Sequence, residues 1–288
     1  LLNNNNYKSI IGLRINPQLE PLSIVSTSVA TSYSKFGEPL DDHYDFIIEA
    51  FLSYPWLSGI HIHCGSQACE SSYLTKGIKK VYDLFLIIQE KRKALNLPLL
   101  KYFDIGGGLS VKYRPTDPEI SFYDYASILN KSCPFLFTNE FEVYTEFGRS
   151  LVANAASAYS RVEYVKESSG IKTAMIHLGA DMFLRRCYNP NDWYHHITVL
   201  NPDGSKKESE LEPYHIAGPL CFAGDIIARD MMLPSINDGD IIKIHDVGAY
   251  TLSMWSLYNS REFPRVFLEN HDTLEQVDLL NLNAIKCR

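Results

Sequence analysis

The sequence has 288 residues, is 45% hydrophobic and carries a formal net charge of −7, which suits a globular protein of one or two domains with a sizeable core. With no basic surplus to neutralise a phosphate backbone, nucleic-acid binding is excluded and only a local anion pocket stays open; no apolar run approaches the ~20 residues that span a bilayer, so no membrane role is expected. The opening LLNNNNYKSIIGLRINP lacks the basic start of a signal peptide, and six cysteines without CxxC spacing (Cys64, Cys69, Cys133, Cys187, Cys221, Cys287) read as free thiols in a reducing compartment, the cytoplasm first and an organelle second.

Asn3 to Asn6 is the one low-complexity tract and reads as a loop or frayed end. Strands and helices then alternate. SIIGLRIN predicts a buried strand and DDHYDFIIEAFLS a helix with an acidic start. LSGIHIHCG is a strand, and YLTKGIKKVYDLFLIIQEKRKAL is a long amphipathic helix whose basic last turn suits the macrodipole. LKYFDIGGG is a strand ending in three glycines, SFYDYASILNKSC a helix, and FEVYTEFGRS another strand. This alternation implies about four parallel βα units, too few to close a (β/α)8 barrel, so the expectation is an open sheet or a barrel with residues before Leu1. From residue 158 the pattern changes. TAMIHLGAD, HHITVLN, YHIAGPLCFAGD and DIIKIHDVGAYTL are short β-rich runs separated by turn residues, as in a mainly antiparallel β domain. The expected division is therefore an α/β part, 1–157, and a β part, 158–288.

Three constellations carry chemistry. Gly106, Gly107 and Gly108 follow a strand directly, so backbone N–H groups there approach an anion without Cβ atoms intervening; a tight turn is the plain alternative. The next strand ends in Gly148 and Arg149, and successive strand tips of this kind build the phosphate site of many (β/α)8 barrels, with Arg149 a charge-assisted donor. Glu146 beside a phosphate needs a cation partner; its alternative is a surface ion pair with Arg149. His61 and His63 share one face of their strand. Metal hydrolases use such pairs, but the later strand tips supply no further histidine, so no metal is expected. Ser66 sits at the same strand end as a phosphate donor.

Together GIHIHCGSQ, FDIGGGLSVKY, TEFGRSLVA, GPLCFAGD and HDVGAYTLSMWSLYN resemble, in order and spacing, the fold-type III pyridoxal-phosphate decarboxylases that act on ornithine, diaminopimelate and arginine, and the diaminopimelate branch most closely. GLRINP and SKFGEP fit that branch too. The resemblance runs from Gly12 to Asn259. It implies an α/β fold: the C-terminal half of a (β/α)8 barrel of the alanine racemase type over 1–157, binding pyridoxal 5'-phosphate, then the β domain over 158–288. It further implies a small amino-acid substrate and a homodimer with shared active sites. By residue, it implies that His63 stacks on the pyridine ring, and that Ser66, Gly106, Gly107, Gly108, Gly148 and Arg149 hold the phosphate. Glu146 pairs with the ring nitrogen, which strengthens the ring as an electron sink. Tyr250 closes the cofactor site, and Cys221 reaches across the dimer interface as proton donor. A core tyrosine and a buried structural cysteine are the alternatives for these last two.

The sequence departs from the family in three places. No YAxKxN-like lysine for the Schiff base is present, so the chain resembles a fragment beginning near the fifth barrel strand, inactive by itself and prone to self-association. Phe147 replaces the usual proline of Glu-Pro-Gly-Arg. Phe222 stands where the diaminopimelate branch carries an acid for the substrate's distal ammonium, leaving Asp225 as the acidic group and Arg185 or Arg186 for the substrate carboxylate. The expected activity is decarboxylation of a basic or diamino acid. A non-catalytic homologue that binds or regulates a partner decarboxylase is the alternative from another class, followed by a racemase and a metal-dependent hydrolase.

Overall fold

The computed structural model describes residues 9–22, 24, 27–67, 70–270 and 273–277; the asparagine tract, Cys69 and Cys287 lie outside them. The chain divides into two compact units. One runs up to Tyr159 and takes in Tyr194–Thr198 and Lys243–Ala249; the other comprises Ser160–Trp193, Val199–Ile242 and the chain from Tyr250. Two later segments thus group with the first unit, and no single cut in the sequence separates the two.

The first unit holds one parallel sheet, ordered β2-β1-β3-β4-β5. Its strands are β1 (Gly12–Asn16), β2 (Glu38–Pro39), β3 (Gly59–Ile62), β4 (Tyr102–Asp104) and β5 (Glu142–Tyr144). Helices α1 (Tyr44–Ser53), α2 (Ser71–Ala94) and α3 (Phe122–Ser132) cover it, and the short α4 (Arg149–Val152) follows β5. This is the succession of a (β/α) barrel wall. The four strands expected from sequence are present; β2, two residues inside SKFGEP, is too short to carry a period.

Helix α2 buries Leu74, Ile78, Val81, Leu84, Phe85 and Ile88, one stripe at helical spacing, against Ile60, Ile62 and Phe103 of the sheet within one core cluster. Ser121 and Asp124 form a capping box that fixes the start of α3. The basic last turn of α2 differs from the expectation at one residue. Arg92 is fully buried, and its guanidinium donates to the carbonyls of Phe51, Tyr54 and Pro98. Two of these carbonyls lie at the C-terminal end of α1, where Phe51 O takes both Nε and Nη2 and Tyr54 O also accepts the Leu57 N–H, while Lys91 and Lys93 stay exposed.

Beyond residue 157 the chain is mostly strand: β6 (Ala158–Ser168), β7 (Ile171–Ile176), the short helix α5 (Leu184–Tyr188), β8 (Ile197–Leu200), β9 (Leu211–Ala217), β10 (Ile226–Pro234), β11 (Ile241–Ile244), β12 (Val266–Asn270) and β13 (Thr273–Val277). Strands β10-β9-β7-β6 lie side by side. The pairs β6–β7, β9–β10 and β12–β13 are antiparallel, while β7–β9 is parallel. Ser169 and Gly170, both at positive φ, make the two-residue turn between β6 and β7. Neither β6 nor β10 stands out in the sequence. Most side chains of β6 are exposed and polar, and the register of β10 shifts between Ala228 and Met231, breaking its alternation.

Candidate functional site

Parallel pairing places His61, Asp104 and Tyr144 side by side on β3, β4 and β5. Two residues further along each chain stand His63, Gly106 and Glu146, just past the strand ends, where ligands of parallel α/β folds bind. Three of the expected groups meet there. Gly107 N–H donates to His63 Nδ1 at 3.1 Å, and Glu146 N–H donates to Gly106 O at 2.8 Å. Glu146 Oε2 lies 3.3 Å from His63 Nδ1 and 3.4 Å from His61 Nε2, so the two imidazoles do share a face. The His61 contact is close enough for electrostatic attraction but is not aligned as a hydrogen bond, and that nitrogen is buried.

Burial holds the His63 pKa below its ordinary value, helped by the positive charge of Arg14 and opposed by Glu146. Because Nδ1 accepts the Gly107 N–H, the neutral ring carries its proton on Nε2.

The glycine triplet is fixed by close packing. A Cβ on Gly106, at φ +72°, would lie 2.3 Å from Ile62 O, and one on Gly107 2.4 Å from Glu146 O; one on Gly108, at φ +105°, would lie 2.8 Å from Gly65 O. The tip of β4 is thus wedged between those of β3 and β5. Asp104, which sequence reasoning did not single out, accepts the Gly106 N–H at 2.8 Å through Oδ1. An Asp two residues before a glycine, an Asx-turn pattern, is the signal that marks it. His61, Asp104 and Glu146 also form a trio of potential metal-ligand atoms within 4.8 Å of one another. The β4 and β5 tips therefore supply carboxylates where a search for histidine alone finds nothing.

The cationic end lies nearby on the same unit. Arg149 is 5% exposed, so it is not the surface ion-pair residue weighed as an alternative. Its Nε and Nη2 donate to Ser66 Oγ at 3.3 and 3.1 Å, and Nη1 donates to Tyr113 OH at 3.0 Å. Tyr113 is a second residue that sequence reasoning missed; nothing in VKYRP distinguishes it from a core aromatic. Gly148 faces open space, so no packing demands a glycine there.

The remaining candidates lie on the second unit. Cys221 is exposed; its N–H donates to Asn259 Oδ1 at 3.1 Å, and its sulfur accepts from Asn259 Nδ2 at 3.1 Å. Phe222 stacks on Tyr188, with centroids 4.9 Å apart. Asp225 is 3% exposed, and its carboxylate accepts the Ala180 N–H at 2.6 Å and the Leu220 N–H at 2.7 Å. Gly179 and Gly218 pack directly on that carboxylate, and burial raises its pKa. Its oxygens therefore join two turns of the fold, where a distal ammonium was expected. Arg185 lies between the rings of Trp193 and Tyr250, 4.8 and 4.3 Å from their centroids, and Arg186 is buried and donates to Pro190 O. Tyr250 is partly exposed, at φ +57°. Cys64, Cys133 and Cys187 are buried cysteines. No helix among the described residues is long and apolar enough to cross a membrane.

Residues 1–153 match the family model "Pyridoxal-dependent decarboxylase, pyridoxal binding domain". The chain is 30% identical over 268 residues to diaminopimelate decarboxylase of Aquifex aeolicus, covering 91% of this chain and 60% of that protein. It is 31% identical over 271 residues to the enzyme of Helicobacter pylori, covering 92% and 62%. The solved structure of a Helicobacter pylori diaminopimelate decarboxylase complexed with L-lysine superposes with a TM-score of 0.77 at 29% identity, covering 93% of this chain and 64% of that one. The chain thus spans about three fifths of the length of the relatives it matches.

Proposed function

The chain belongs to the pyridoxal-dependent decarboxylases, and from that premise we propose that the protein decarboxylates a basic or diamino acid in the manner of diaminopimelate decarboxylase, with pyridoxal 5'-phosphate held at the ends of β3, β4 and β5. The observation that carries the reading is the convergence of His63, the glycine triplet and Glu146 on adjoining strand tips, beside the Arg149–Ser66–Tyr113 group. Their donor set fits the cofactor. A buried cation with two hydroxyls suits a phosphate, a neutral imidazole offers its face to an aromatic ring, and a carboxylate lies where a ring nitrogen needs one.

Bound pyridoxal phosphate would supply an electron sink for the pair left behind when the carboxylate departs as CO2. The chain's own residues do the rest. Arg149 and Ser66 orient the phosphate, with Gly148 leaving room for it and Gly106, Gly107 and Gly108 shaping the close-packed strand tip, the first two with their N–H groups already given to Asp104 and His63. Glu146 holds a proton on the ring nitrogen. His63, kept neutral, covers the ring without setting a second cation beside it. Arg185 takes the substrate carboxylate in preference to Arg186, which is buried and engaged with Pro190 O, and Tyr250 closes the cofactor site. Cys221 returns a proton to the carbon that lost its carboxylate, within a homodimer that shares its active sites. The carboxylate of Asp225 is already engaged by backbone amides. The Phe222–Tyr188 stack is therefore the feature on the Cys221 loop open to a distal ammonium, through cation–π attraction, which is weaker than a carboxylate pair. The product then need not be lysine. Inactivity of this chain by itself, and a cytoplasmic setting, belong to the same proposal.

The test is CO2 release by the full-length protein with pyridoxal phosphate, offered diaminopimelate, lysine, ornithine and arginine. Turnover of at least one is expected, and Glu146→Gln lowers kcat on the order of 100-fold. Tight cofactor binding with no turnover of any of the four would favour the non-catalytic, partner-binding homologue.

A further inference from the structure

Asn259 uses one carboxamide on both ends of one cysteine. Its Oδ1 accepts the Cys221 backbone N–H and its Nδ2 donates to Cys221 Sγ, each at 3.1 Å. The orientation of this amide is not arbitrary. A backbone N–H is only a donor, so the oxygen must face it, and the nitrogen is left facing the sulfur. Asn259 sits at φ +57°, ψ +21°, a left-handed conformation that asparagine tolerates better than other residues with a side chain. Tyr258 approaches the same residue, its hydroxyl 3.2 Å from Cys221 O and 4.0 Å from Sγ.

We propose that Asn259 is the positioning residue of Cys221, a carboxamide clamp that fixes the cysteine backbone, aims its sulfur, and favours the sulfur as a hydrogen-bond acceptor. A thiolate accepts far better than a thiol, so the clamp eases loss of the thiol proton. The Cys221 pKa lies below the usual thiol value, through the Asn259 hydrogen bond first and Tyr258 second. The Tyr258 hydroxyl moves the opposite way, raised by the same contact and then by the charge of Cys221, with Tyr188 and Asp225 adding to the rise. Cys187 makes the contrast. Buried and with Asp225 acting on it, its thiol is pushed up to about 12.

The contact stands apart from any activity; its use in catalysis rests on the decarboxylase reading. There, a thiol whose pKa lies nearer to neutral is the better proton donor at that pH, because proton transfer is most efficient between matched groups.

The experiment follows iodoacetamide alkylation of Cys221 against pH in the full-length protein, resolved by peptide mass spectrometry; the thiolate displaces iodide. Asn259→Gly keeps the left-handed backbone and removes the clamp. Asn259→Asp keeps the acceptor for the Cys221 N–H and turns an oxygen toward the sulfur. The alkylation midpoint is expected to rise in both, further in Asp, lowering the rate at pH 7.5 by about tenfold. Cys187 stays unreactive throughout. In the active protein the same variants lower kcat and move its pH profile, with KM nearly constant. Midpoints unchanged in both variants overturn the proposal; should Asn259→Gly not fold, Asn259→Asp decides alone. Shifted midpoints in a protein that decarboxylates nothing uphold the clamp and sink the function proposed above.

Discussion

The strand-tip cluster of the first unit and the Cys221 loop of the second hold their polar groups by different means. At the strand tips, position follows from register. Because β3, β4 and β5 are parallel and paired in step, residues a fixed number past each strand end come out side by side: His63, Gly106 and Glu146. On the loop, Cys221 is held by Asn259, 38 positions away and outside any ladder. The first arrangement is rigid because backbone packs on backbone; the second depends on side chains, Asn259 on the Cys221 N–H and sulfur and Tyr258 on its carbonyl. A sheet edge therefore tolerates loss of a polar contact better than intrusion of an atom, and the loop has the reverse sensitivity.

The sharpest way to break that comparison is within the glycines. Gly106→Ala sets a Cβ against the Ile62 carbonyl at positive φ, and should cost about 1–3 kcal/mol, read as a lower denaturant midpoint, and weaken pyridoxal phosphate binding. Gly148→Ala faces open space and should change stability by no more than about 0.5 kcal/mol. Equal costs would show that close packing at the tips is not what fixes the triplet.

For the second region the counterpart is Asp225→Asn. Turning an amide toward the Ala180 and Leu220 N–H groups leaves at least one buried donor unpaired, an expected loss of about 1–3 kcal/mol. A neutral result in thermal or denaturant unfolding would remove Asp225 as the join between the two turns.

Arg149→Ala tests the anion end. Its guanidinium serves Ser66 and Tyr113 together, and its removal should raise the Kd for pyridoxal phosphate by about tenfold or more by equilibrium titration. Tyr113→Phe, which takes an acceptor from a buried guanidinium N–H, should cost about 1–3 kcal/mol of stability.

The smallest effect concerns pH. The folded pKa of His63 lies below its unfolded value of about 6.5, so the unfolded chain binds more protons in that range and stability rises with pH. The contribution is complete above about pH 6.5 and is lost as the pH falls toward the folded pKa. His63→Gln should flatten this part of the stability profile; an unchanged slope between pH 5 and 7 would show that the imidazole is not held neutral by burial.

Much of the first unit was legible in the sequence. Strands of three to five residues ending in glycine or histidine, joined by helices with one apolar stripe, leave little choice but a parallel sheet with its chemistry at one edge. That GIHIHCGS, DIGGG and TEFGRS come together was expected from the barrel phosphate site and the family resemblance, and parallel pairing in step brings them side by side. Asp104 carried a local signal, the Asx-turn spacing to Gly106, that the search for histidine and glycine passed over, whereas Tyr113 is ordinary in its local sequence. Asp104 matters through the Gly106 N–H it accepts, and Tyr113 through a guanidinium 36 positions away.

The sequence by itself determined the alternation of strand and helix, the change to β structure near residue 158, and which side chains stand at the strand tips, because strand and helix periods are local properties of the chain. Tertiary structure decided where the buried charges go, Arg92 to the end of α1 and Asp225 to two backbone turns, and that the exposed amide of Asn259 meets Cys221. A buried charge or amide must find partners wherever the fold brings donors and acceptors together, and those distances are set by packing rather than by neighbours in the chain.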